Sequence, residues 1–389
     1  MNILDLLKER GFVNQLTHEK ELHEAFEKGQ VTFYTGYDPT ADSLHIGHYL
    51  TFMAMAWMQR AGHRPIVLMG GGTGMIGDPD KADEMRKMME VSEIDHNVER
   101  FIEQAKRFVE LEDDKAILSN NADWLRHLNY ANFIREYGIH FSVNRMLSAD
   151  KYKTKFEGSG LNFFELNYMI MQAYDFLELN RRYDCVLQTG GSDQWSNIVA
   201  GVDLIRRVEQ KPAYGMTFNL LTRSDGTKMG KTLDGALWLD AKKTSPHDFY
   251  QYFRNLDDAD IKNCLLMLTF VPTDEIENLC KETGQAMNRA KEVLAYEVTK
   301  IVHGEKVAKA AKEGLEEFVI DKAGFGDGMN ILDVLLVTKM APSKSEARRN
   351  VNQGGVSING EKISDIAYIA NVAEFVLQKG KKKLKIIVK

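Results

Sequence analysis

Two histidines, His45 and His48, stand three residues apart in DPTADSLHIGHYL, which runs from position 38 to 50. On a helix they would share one face. They could then be half of a metal site, part of a core helix or groups that contact a ligand. Metal binding needs further ligands, and neither a nearby cysteine nor an HxxE pattern supplies them. The stretch follows a predicted strand, VTFYTGY, so the helix N-terminus would face a phosphate, and Gly47 leaves the backbone open to a nucleotide. We therefore predict a nucleotide site.

One acidic and two basic residues follow the next predicted strand, PIVLM. The glycines before them contain a G-x-G-x-x-G pattern, Gly72–Gly77, which is typical of dinucleotide binding. That pattern normally follows the first strand and leads directly into a helix, whereas here it follows the second strand and continues into DPD. We therefore discount it. Asp78 is predicted to face a small substrate, with two cations, Lys81 and Arg86, just beyond.

A polar stripe lies on a predicted helix, NYMIMQAYDFLEL. Tyr168, Gln172 and Asp175 occupy positions i, i+4 and i+7, which places them in one narrow row on a helix that is otherwise apolar. A solvent-facing stripe is the alternative, but apolar residues on every other side favour burial. Because a buried carboxylate without a partner costs several kcal/mol, the stripe is predicted to line a polar cavity.

Two loops with glycines also carry candidate groups. QTGGSDQW, at 188–195, follows the predicted strand YDCVL, and its acid could hold a ribose, although a plain glycine turn is equally compatible. In SDGTKMGKT, at 224–232, Lys228 and Lys231 stand three apart and Thr232 follows. Two ammonium groups on a loop can close over a polyphosphate as charge develops, whereas the pattern taken alone fits a solvated loop better.

The elements that must position these residues follow from the hydrophobic pattern. In the first half, short apolar runs alternate with helical patterns, which predicts a doubly wound parallel sheet of the α/β class. From position 245 to 318 the pattern is nearly all helical, and DKAGFGDG, at 321–328, predicts a linker. Beyond it, Ser343-x-x-Glu346 indicates a capped helix and Asn359-Gly360 a β-hairpin.

The composition is that of an ordinary globular protein: 389 residues, 44% hydrophobic and 27% charged. No apolar run approaches the roughly 18–20 residues that span a membrane. The net charge of −6 is uneven, because positions 330–389 contain eleven Lys and Arg against five Asp and Glu, a basic tail typical of a module for a polyanion. Cys185, Cys264 and Cys280 have no metal-binding spacing and suit a reduced cytosol, so we expect a cytoplasmic protein without structural metal.

Together, and in this order, the motifs resemble those of the class I aminoacyl-tRNA synthetases. HIGH at 45–48 matches the first signature of that class, and KMGKT at 228–232 is similar to the second. YTGYDPTADSLHIGH, GDP, the Tyr-x3-Gln-x2-Asp helix, LQTGGSDQWSNI and a tail similar to the ribosomal S4-type RNA-binding module narrow the resemblance to bacterial-type tyrosyl-tRNA synthetases. The resemblance covers essentially the whole chain. Two departures are Gly230, where the general signature has serine, and a short segment before the tail module.

The resemblance implies an architecture and a set of partners. We expect a Rossmann-like catalytic domain at 1–220, including an insertion that forms dimer contacts. A KMGKT loop and a helical anticodon-side domain at 221–321 and an S4-like RNA-binding module at 322–389 would follow. ATP with Mg²⁺, L-tyrosine and tRNA(Tyr) are the expected substrates, and the protein is expected to be a homodimer.

The resemblance also implies residue roles. The phenol of the substrate tyrosine is expected to contact Tyr34 and Asp175. Its α-ammonium is expected to contact Tyr168, Gln172 and Asp78. Its ring and carboxylate are expected to lie along Gln188 and Gln194. Expected at ATP are Asp38, Gly47, Thr51, Gly191, Asp193 and Lys231. Expected to stabilise the transition state are His45, His48, Lys228, Lys231 and Thr232, with Lys81 and Arg86 on the leaving pyrophosphate. Expected phosphate contacts for tRNA are Lys344, Arg348, Arg349, Lys381, Lys382 and Lys383, although a solvated basic face is the alternative.

The implied chemistry fits these residue types. The tyrosine carboxylate would attack the α-phosphorus of ATP and expel pyrophosphate, and it is already ionised, so no general base is needed. Catalysis is then positioning plus cations aimed at growing negative charge. A tryptophanyl enzyme is the chief alternative within the class, but Asp175 with Tyr34 favours a phenol over an indole. An NAD-linked oxidoreductase leaves HIGH, KMGKT and the basic tail unexplained, and a non-catalytic RNA-binding regulator with a synthetase fold stays open.

Overall fold

The computed structural model describes residues 2–79, 88–232, 235–281, 284, 287–380 and 382–389, with only the backbone at 231, 232, 316 and 317. The chain forms two compact units, Met1–Asp240 with Ala259–Lys281, and Ala241–Asp258 with Glu282–Lys389. The predicted boundaries at 220/221 and 321/322 divide the chain differently, because residues 221–240 and 259–281 pack within the first unit. The three-domain division stays a prediction.

A six-stranded sheet forms the centre of the first unit. Its strands are β1 Val13–Leu16, β2 Thr32–Tyr37, β3 Arg64–Met69, β4 Ile117–Asn120, β5 Leu187–Gly191 and β6 Tyr214–Phe218. They lie in the order β1-β6-β5-β2-β3-β4, all neighbours being parallel except β1 and β6. Strand β3 is buried from Pro65 to Met69, as expected for a strand covered on both faces. The predicted doubly wound parallel sheet is confirmed.

Helices connect these strands and extend the first unit. They are α1 Ile3–Glu9, α2 Glu19–Lys28, α3 Ile46–Arg60, α4 Val91–Ala105, α5 Ala122–Leu125, α6 Tyr130–Glu136, α7 Val143–Ser148, α8 Asp150–Glu157, α9 Phe163–Tyr183 and α10 Trp195–Val208. After a short hairpin, β7 Lys231–Thr232 and β8 Gly235–Ala236, the unit also includes most of α12 Asp258–Leu268, and α13 Thr273–Leu279. The 21 residues of α9 begin at a capping box, in which Asn162 and Glu165 each accept a hydrogen bond from the other's backbone N–H.

The strand order places a ligand site. The chain leaves β2 through β3 and β4 on one side, then returns to β5 on the other, so the topology reverses between β2 and β5. Doubly wound sheets bind ligands at the carboxyl ends of the strands that flank such a reversal. Strand β2 ends immediately before Asp38, and β5 ends at Gly191, before a single-turn 3-10 helix, Ser192–Gln194.

The second unit contains helices and a small sheet. Its elements are α11 Pro246–Arg254, α14 Met287–His303, α15 Glu305–Lys312, β9 Leu315–Ile320, α16 Lys322–Phe325, β10 Met329–Asn330, α17 Ile331–Val337, α18 Lys344–Asn352, β11 Val356–Ile358, β12 Glu361–Lys362, β13 Ile369–Ala370, β14 Glu374–Lys379 and β15 Lys382–Val388. Five of the strands form a sheet in the order β12-β11-β14-β15-β9. Ser343 caps α18 as predicted, and Asn359 and Gly360, with φ of 51° and 86°, form the predicted turn between β11 and β12.

Two predictions for this unit are wrong. The helical pattern was expected to continue to position 318, but β9 begins at Leu315, because residues 315–320 pair in parallel with 383–388. DKAGFGDG is not a linker, since it contains α16, and Phe325 is buried in the core of the tail together with Ile320. Both errors have one cause: β9 pairs with a distant strand and Phe325 packs against the distant Phe375, and local periodicity carries no information about either contact.

Candidate active site

A cavity of about 540 Å³ lies at the carboxyl ends of β2 and β5. Fifteen predicted catalytic, tyrosine-binding and ATP-binding residues line it: Tyr34, Asp38, His45, Gly47, His48, Thr51, Asp78, Tyr168, Gln172, Asp175, Gln188, Gly191, Asp193, Gln194 and Lys228. The predicted polar cavity beside α9 is therefore present. Lys81, Arg86 and Lys381 lie outside the described residues, and so do the side chains of Lys231 and Thr232. The structure brings the residues together, while their individual roles stay predictions.

One end of the cavity contains a buried acid and a buried phenol. Asp175 accepts hydrogen bonds from Trp124 Nε1 at 2.8 Å and from Asn121 Nδ2 at 2.9 Å. Burial raises the pKa of Asp175 to about 8, and these two hydrogen bonds limit the rise. Tyr34 is 1% exposed, and its pKa is raised well above the ordinary value, first by burial and then by the charge of Asp175. The Tyr34 hydroxyl therefore keeps its proton and can donate.

A second acid joins two predicted subsites. Asp38 accepts a hydrogen bond from the Tyr168 hydroxyl at 2.8 Å and another from Thr73 Oγ1 at 2.7 Å. Burial, followed by the charge of Asp38, raises the pKa of Tyr168 well above its usual value, so this phenol stays a donor. Asp38 was predicted at the adenosine, and Tyr168 at the α-ammonium. Because of this contact, a substitution of Asp38 also removes the hydrogen bond that fixes the Tyr168 hydroxyl.

Several polar atoms at this cavity are buried and have no hydrogen-bond partner among the described residues. They are Tyr34 Oη, Asp78 Oδ1, Gln172 Oε1 and Gln188 Oε1. A buried polar atom without a partner costs roughly 1–3 kcal/mol, so such atoms are rare unless something else satisfies them. Three of the four are acceptors and the fourth is a phenol. This arrangement suits a ligand that brings several N–H or O–H donors.

The histidine pair caps α3. His45 Nδ1 accepts from the backbone N–H of Gly47 at 3.0 Å, and His48 Nδ1 accepts from the backbone N–H of His45 at 3.2 Å. Burial lowers the pKa of both imidazoles, that of His48 well below its usual value, so both rings are neutral near pH 7. With Nδ1 occupied as an acceptor, each ring carries its proton on Nε2. The histidines can therefore contact a ligand as neutral hydrogen-bond donors.

Gly47 has a structural role besides the predicted one. A Cβ at this position would lie 2.9 Å from Cε1 of His45, whose ring accepts the Gly47 N–H and stacks on His48 with centroids 3.8 Å apart. Any side chain would displace the cap. The glycine is thus required by the histidine pair itself, whether or not a nucleotide approaches the backbone.

Sequence reasoning missed the residues that support these groups. Asn121 and Trp124 hold Asp175, and Lys151 pairs with Asp78. Asn121 follows β4 directly, at the same sheet edge as the other groups, and this position was a usable signal. Lys151 lies on the polar helix α8, where no motif marks it.

The backbone of the glycine segment Gly72–Gly77 makes its hydrogen bonds within the protein. The backbone N–H of Gly72 donates to Asn121 Oδ1 at 2.7 Å, and the chain then forms a 3-10 turn, Thr73–Met75, instead of a helix that could receive a pyrophosphate. These contacts agree with discounting the dinucleotide interpretation.

The KMGKT loop packs against the HIGH segment. Met229 is 7% exposed, and the N–H of Leu237 donates to Gly230 O at 2.8 Å. The N–H of Ile46 in turn donates to Leu237 O at 3.1 Å, so the two signatures are linked by main-chain hydrogen bonds. Gly230 has a φ of 92°, and a Cβ there would lie 2.0 Å from Cγ2 of Ile46. The departure from the serine of the general signature is therefore a steric requirement of this arrangement.

We expect Gly230→Ser, which restores the general signature, to lower kcat/KM for ATP about tenfold in pyrophosphate exchange, because a left-handed serine costs about 1–2 kcal/mol and collides with Ile46. Gly226→Ser is the matched control, since Gly226 has a φ of 83° but open space around its Cβ. Equal losses in the two variants would mean that the contact with Ile46 is not the cause.

The basic residues of the tail lie in the second unit. Arg348 and Arg349 are exposed on α18, and Lys344 on the same helix pairs with Asp333 at 2.8 Å. Lys382 and Lys383 are on β15. Contact with tRNA stays a prediction for each of them.

Two features are absent from the part of the chain that the structure describes. No group of three or more His, Cys, Asp or Glu that could hold a metal ion is present in that part of the chain. None of its helices is long and apolar enough to cross a membrane.

The family of tRNA synthetases class I (W and Y) matches residues 27–319, and the tyrosine–tRNA ligase SYY-like C-terminal domain matches residues 309–387. A tyrosine–tRNA ligase of Clostridium kluyveri is 56% identical over 377 residues, covering 94% of this chain and 92% of the relative. One from Clostridium tetani is 55% identical over 405 aligned positions, covering 100% and 99%. A C-terminally truncated mitochondrial tyrosyl-tRNA synthetase of Aspergillus nidulans superposes with a TM-score of 0.72 at 30% identity, covering 80% of this chain and 92% of that one. The chain therefore belongs to the class I tRNA synthetases of the W and Y family.

Proposed function

We propose that this chain ligates L-tyrosine to tRNA(Tyr) in two steps. Tyrosine and ATP first form tyrosyl-AMP with release of pyrophosphate, and the tyrosyl group is then transferred to the 3′-terminal adenosine of the tRNA. ATP enters as its Mg²⁺ complex, with the metal bound to the phosphates of the substrate. Family membership and the tyrosine–tRNA ligases among the relatives support this proposal.

The observation that carries the proposal is the set of unpaired polar atoms in one cavity. A tyrosine placed with its phenol between Tyr34 Oη and Asp175 would bring its α-ammonium toward acceptors at the other end, Asp78 Oδ1 and Gln172 Oε1. An indole has one N–H and no hydroxyl, so it cannot both donate to Asp175 and accept from Tyr34. This supports tyrosine over tryptophan.

In the first step the side chains position the two substrates and stabilise the negative charge that develops on the phosphates. The tyrosine carboxylate attacks the α-phosphorus in line and needs no base. The neutral histidines donate from Nε2 to phosphate oxygens, and Lys228 and Lys231 supply the positive charge that the departing pyrophosphate requires. Thr232, Lys81 and Arg86 are proposed to assist there, while Asp38, Thr51, Gly191 and Asp193 contact the adenosine.

The direct test is ATP–pyrophosphate exchange measured with each of the twenty amino acids. Tyrosine alone should support rapid exchange. Exchange with tryptophan would identify the alternative within the class, and no exchange with any amino acid would support the non-catalytic regulator.

We also propose a homodimer, supported by exposed apolar residues in the segment 130–164. Six large apolar side chains of this segment are between 40% and 75% exposed: Tyr130, Ile139, Val143, Phe156, Phe163 and Phe164. Exposed apolar surface is typical of interaction sites, and symmetric dimers are the commonest soluble assembly. Sedimentation equilibrium at micromolar concentration should give twice the 44.2 kDa of one chain. A mass of one chain would contradict the proposal.

The remaining parts of the proposal concern the second half of the chain and its compartment. The basic residues of α18 and β15 contact tRNA phosphates, the helical part of the second unit meets the anticodon side, and the protein acts in the cytoplasm. Unpaired Cys185 and Cys264, both buried, are compatible with a reducing compartment.

A further inference from the structure

Asp78 stands between two cavities of the first unit. It lines the cavity described above and a second one of about 860 Å³, whose basic lining residues are Arg145, Lys151, Arg207 and Lys228. Its two carboxylate oxygens have different surroundings. Oδ2 accepts hydrogen bonds from Lys151 Nζ and, at 2.7 Å, from Gln194 Nε2. Oδ1 is buried and has no partner among the described residues.

The Lys151–Asp78 pair is shielded from solvent. The two side chains are 15% and 14% exposed, whereas most other ion pairs among the described residues have at least one partner far more exposed. A shielded ion pair is costly to break, because the remaining charge then stays buried without a counter-ion. The orientation of the Asp78 carboxylate is therefore tied to the presence of Lys151.

Lys151 is itself fixed by the residue beside it. Tyr152 is fully buried and donates its hydroxyl to Asn197 Oδ1 at 3.2 Å. Asn197 Nδ2 donates to Gln194 Oε1 at 3.1 Å, and Gln194 donates to Asp78. The hydrogen bonds thus form a closed ring that begins and ends on α8.

Helix α8 is also tied to α9, which carries Tyr168 and Gln172. Lys155, one turn after Lys151, pairs with Glu165 in the capping box of α9, and each side chain is only 10% exposed. The position of Lys151 relative to the proposed α-ammonium site is therefore set by two independent connections.

From this geometry we propose that Lys151 is a positioning residue for the α-ammonium of the amino-acid substrate. By occupying Oδ2 it holds the Asp78 carboxylate with Oδ1 left for the substrate. The inference rests on the proposed function. It adds Lys151 as a residue that acts through Asp78 and does not itself contact the substrate. Loss of Lys151 leaves Oδ2 with the hydrogen bond from Gln194 alone, so the carboxylate loses its counter-ion and one restraint, and the oriented acceptor is lost.

The test compares the affinities of the Lys151→Met variant for two ligands, one with an α-ammonium group and one without it. Equilibrium dialysis of the full chain would use labelled tyrosine and labelled 3-(4-hydroxyphenyl)propionate, which keeps the phenol and the carboxylate but has no ammonium. We expect the Kd of tyrosine to rise about tenfold and that of the propionate to stay within about twofold. At saturating tyrosine, the kcat of exchange should stay within about threefold.

Lys153→Met is the matched control, because it makes the same change at an exposed position of the same helix, and it should alter neither affinity. If Lys151→Met does not fold, Lys151→Gln keeps a polar side chain there and should show the same selective loss. An unchanged tyrosine Kd, or equal losses for both ligands, would overturn the inference. A wild-type chain that fails to activate tyrosine would instead overturn the proposed function, independently of the variants.

Discussion

Replacing Asp175 by alanine should lower kcat/KM for tyrosine by about 100-fold or more in ATP–pyrophosphate exchange, while kcat/KM for phenylalanine changes little. The ionised form of Asp175, which predominates above pH 8, is proposed to accept the substrate phenol, and a hydrogen bond to a charged group contributes up to about 3 kcal/mol. The variant should also unfold more easily, by about 1–3 kcal/mol, because Trp124 Nε1 and Asn121 Nδ2 lose their shared acceptor. The measurements are exchange kinetics with both amino acids and urea denaturation.

Tyr34→Phe provides the comparison that separates recognition from stability. The Tyr34 hydroxyl is buried and has no partner among the described residues, so its removal should not lower the free energy of unfolding and should raise it by up to about 1–3 kcal/mol. Discrimination between tyrosine and phenylalanine should nevertheless fall about tenfold, since the substrate phenol loses one contact. An unchanged ratio in both variants would remove the phenol from this end of the cavity.

A chain that ends at Gly314 should keep tyrosine-dependent exchange within about threefold of the full chain and lose aminoacylation by at least about 100-fold. The reason is that the basic α18 and β15 are proposed to contact tRNA, whereas the tyrosine cavity lies entirely in the first unit. The cut belongs before β9, because a chain that ends near position 330 would keep β9 without its partner β15. Full charging by the truncated chain would contradict a role for the tail.

A charge variant tests the same proposal without removing an element. Lys344→Gln with Arg348→Gln and Arg349→Gln should raise KM for tRNA and reduce its dependence on salt, since each lost phosphate contact lowers the logarithmic salt slope by about 0.7–0.9. Lys362→Gln, in the short strand β12 of the same unit, is the control for the loss of one exposed charge outside α18. A KM for tRNA that is unchanged in the triple variant would favour a solvated basic face.

The sequence was informative wherever local pattern determined structure. The apolar runs before Asp38 and Gly70 are buried strands of a parallel sheet, and such strands are continuously hydrophobic. The stripe of α9 was predictable because helical periodicity places Tyr168, Gln172 and Asp175 on one face whatever that face contacts. Those two signals were enough to place most of the cavity.

The missed features depend on contacts between distant segments. Lys151 pairs with Asp78, 73 residues before it in the chain, and Trp124 donates to Asp175, 51 residues after it. Neither arrangement leaves a periodic trace in the sequence. The neutral state of His45 and His48 was hidden for a similar reason, because burial, which lowers their pKa, is a property of the folded chain.

The parallel pairing of β9 with β15 has a consequence for biosynthesis. In a nascent chain, residues 315–320 leave the ribosome well before 382–388, and until then one edge of β9 has no strand to pair with. An open strand edge is a template for another copy of the same segment, so polysomes bring such edges close together. A chaperone that shields this segment during translation should reduce aggregation of the newly made protein.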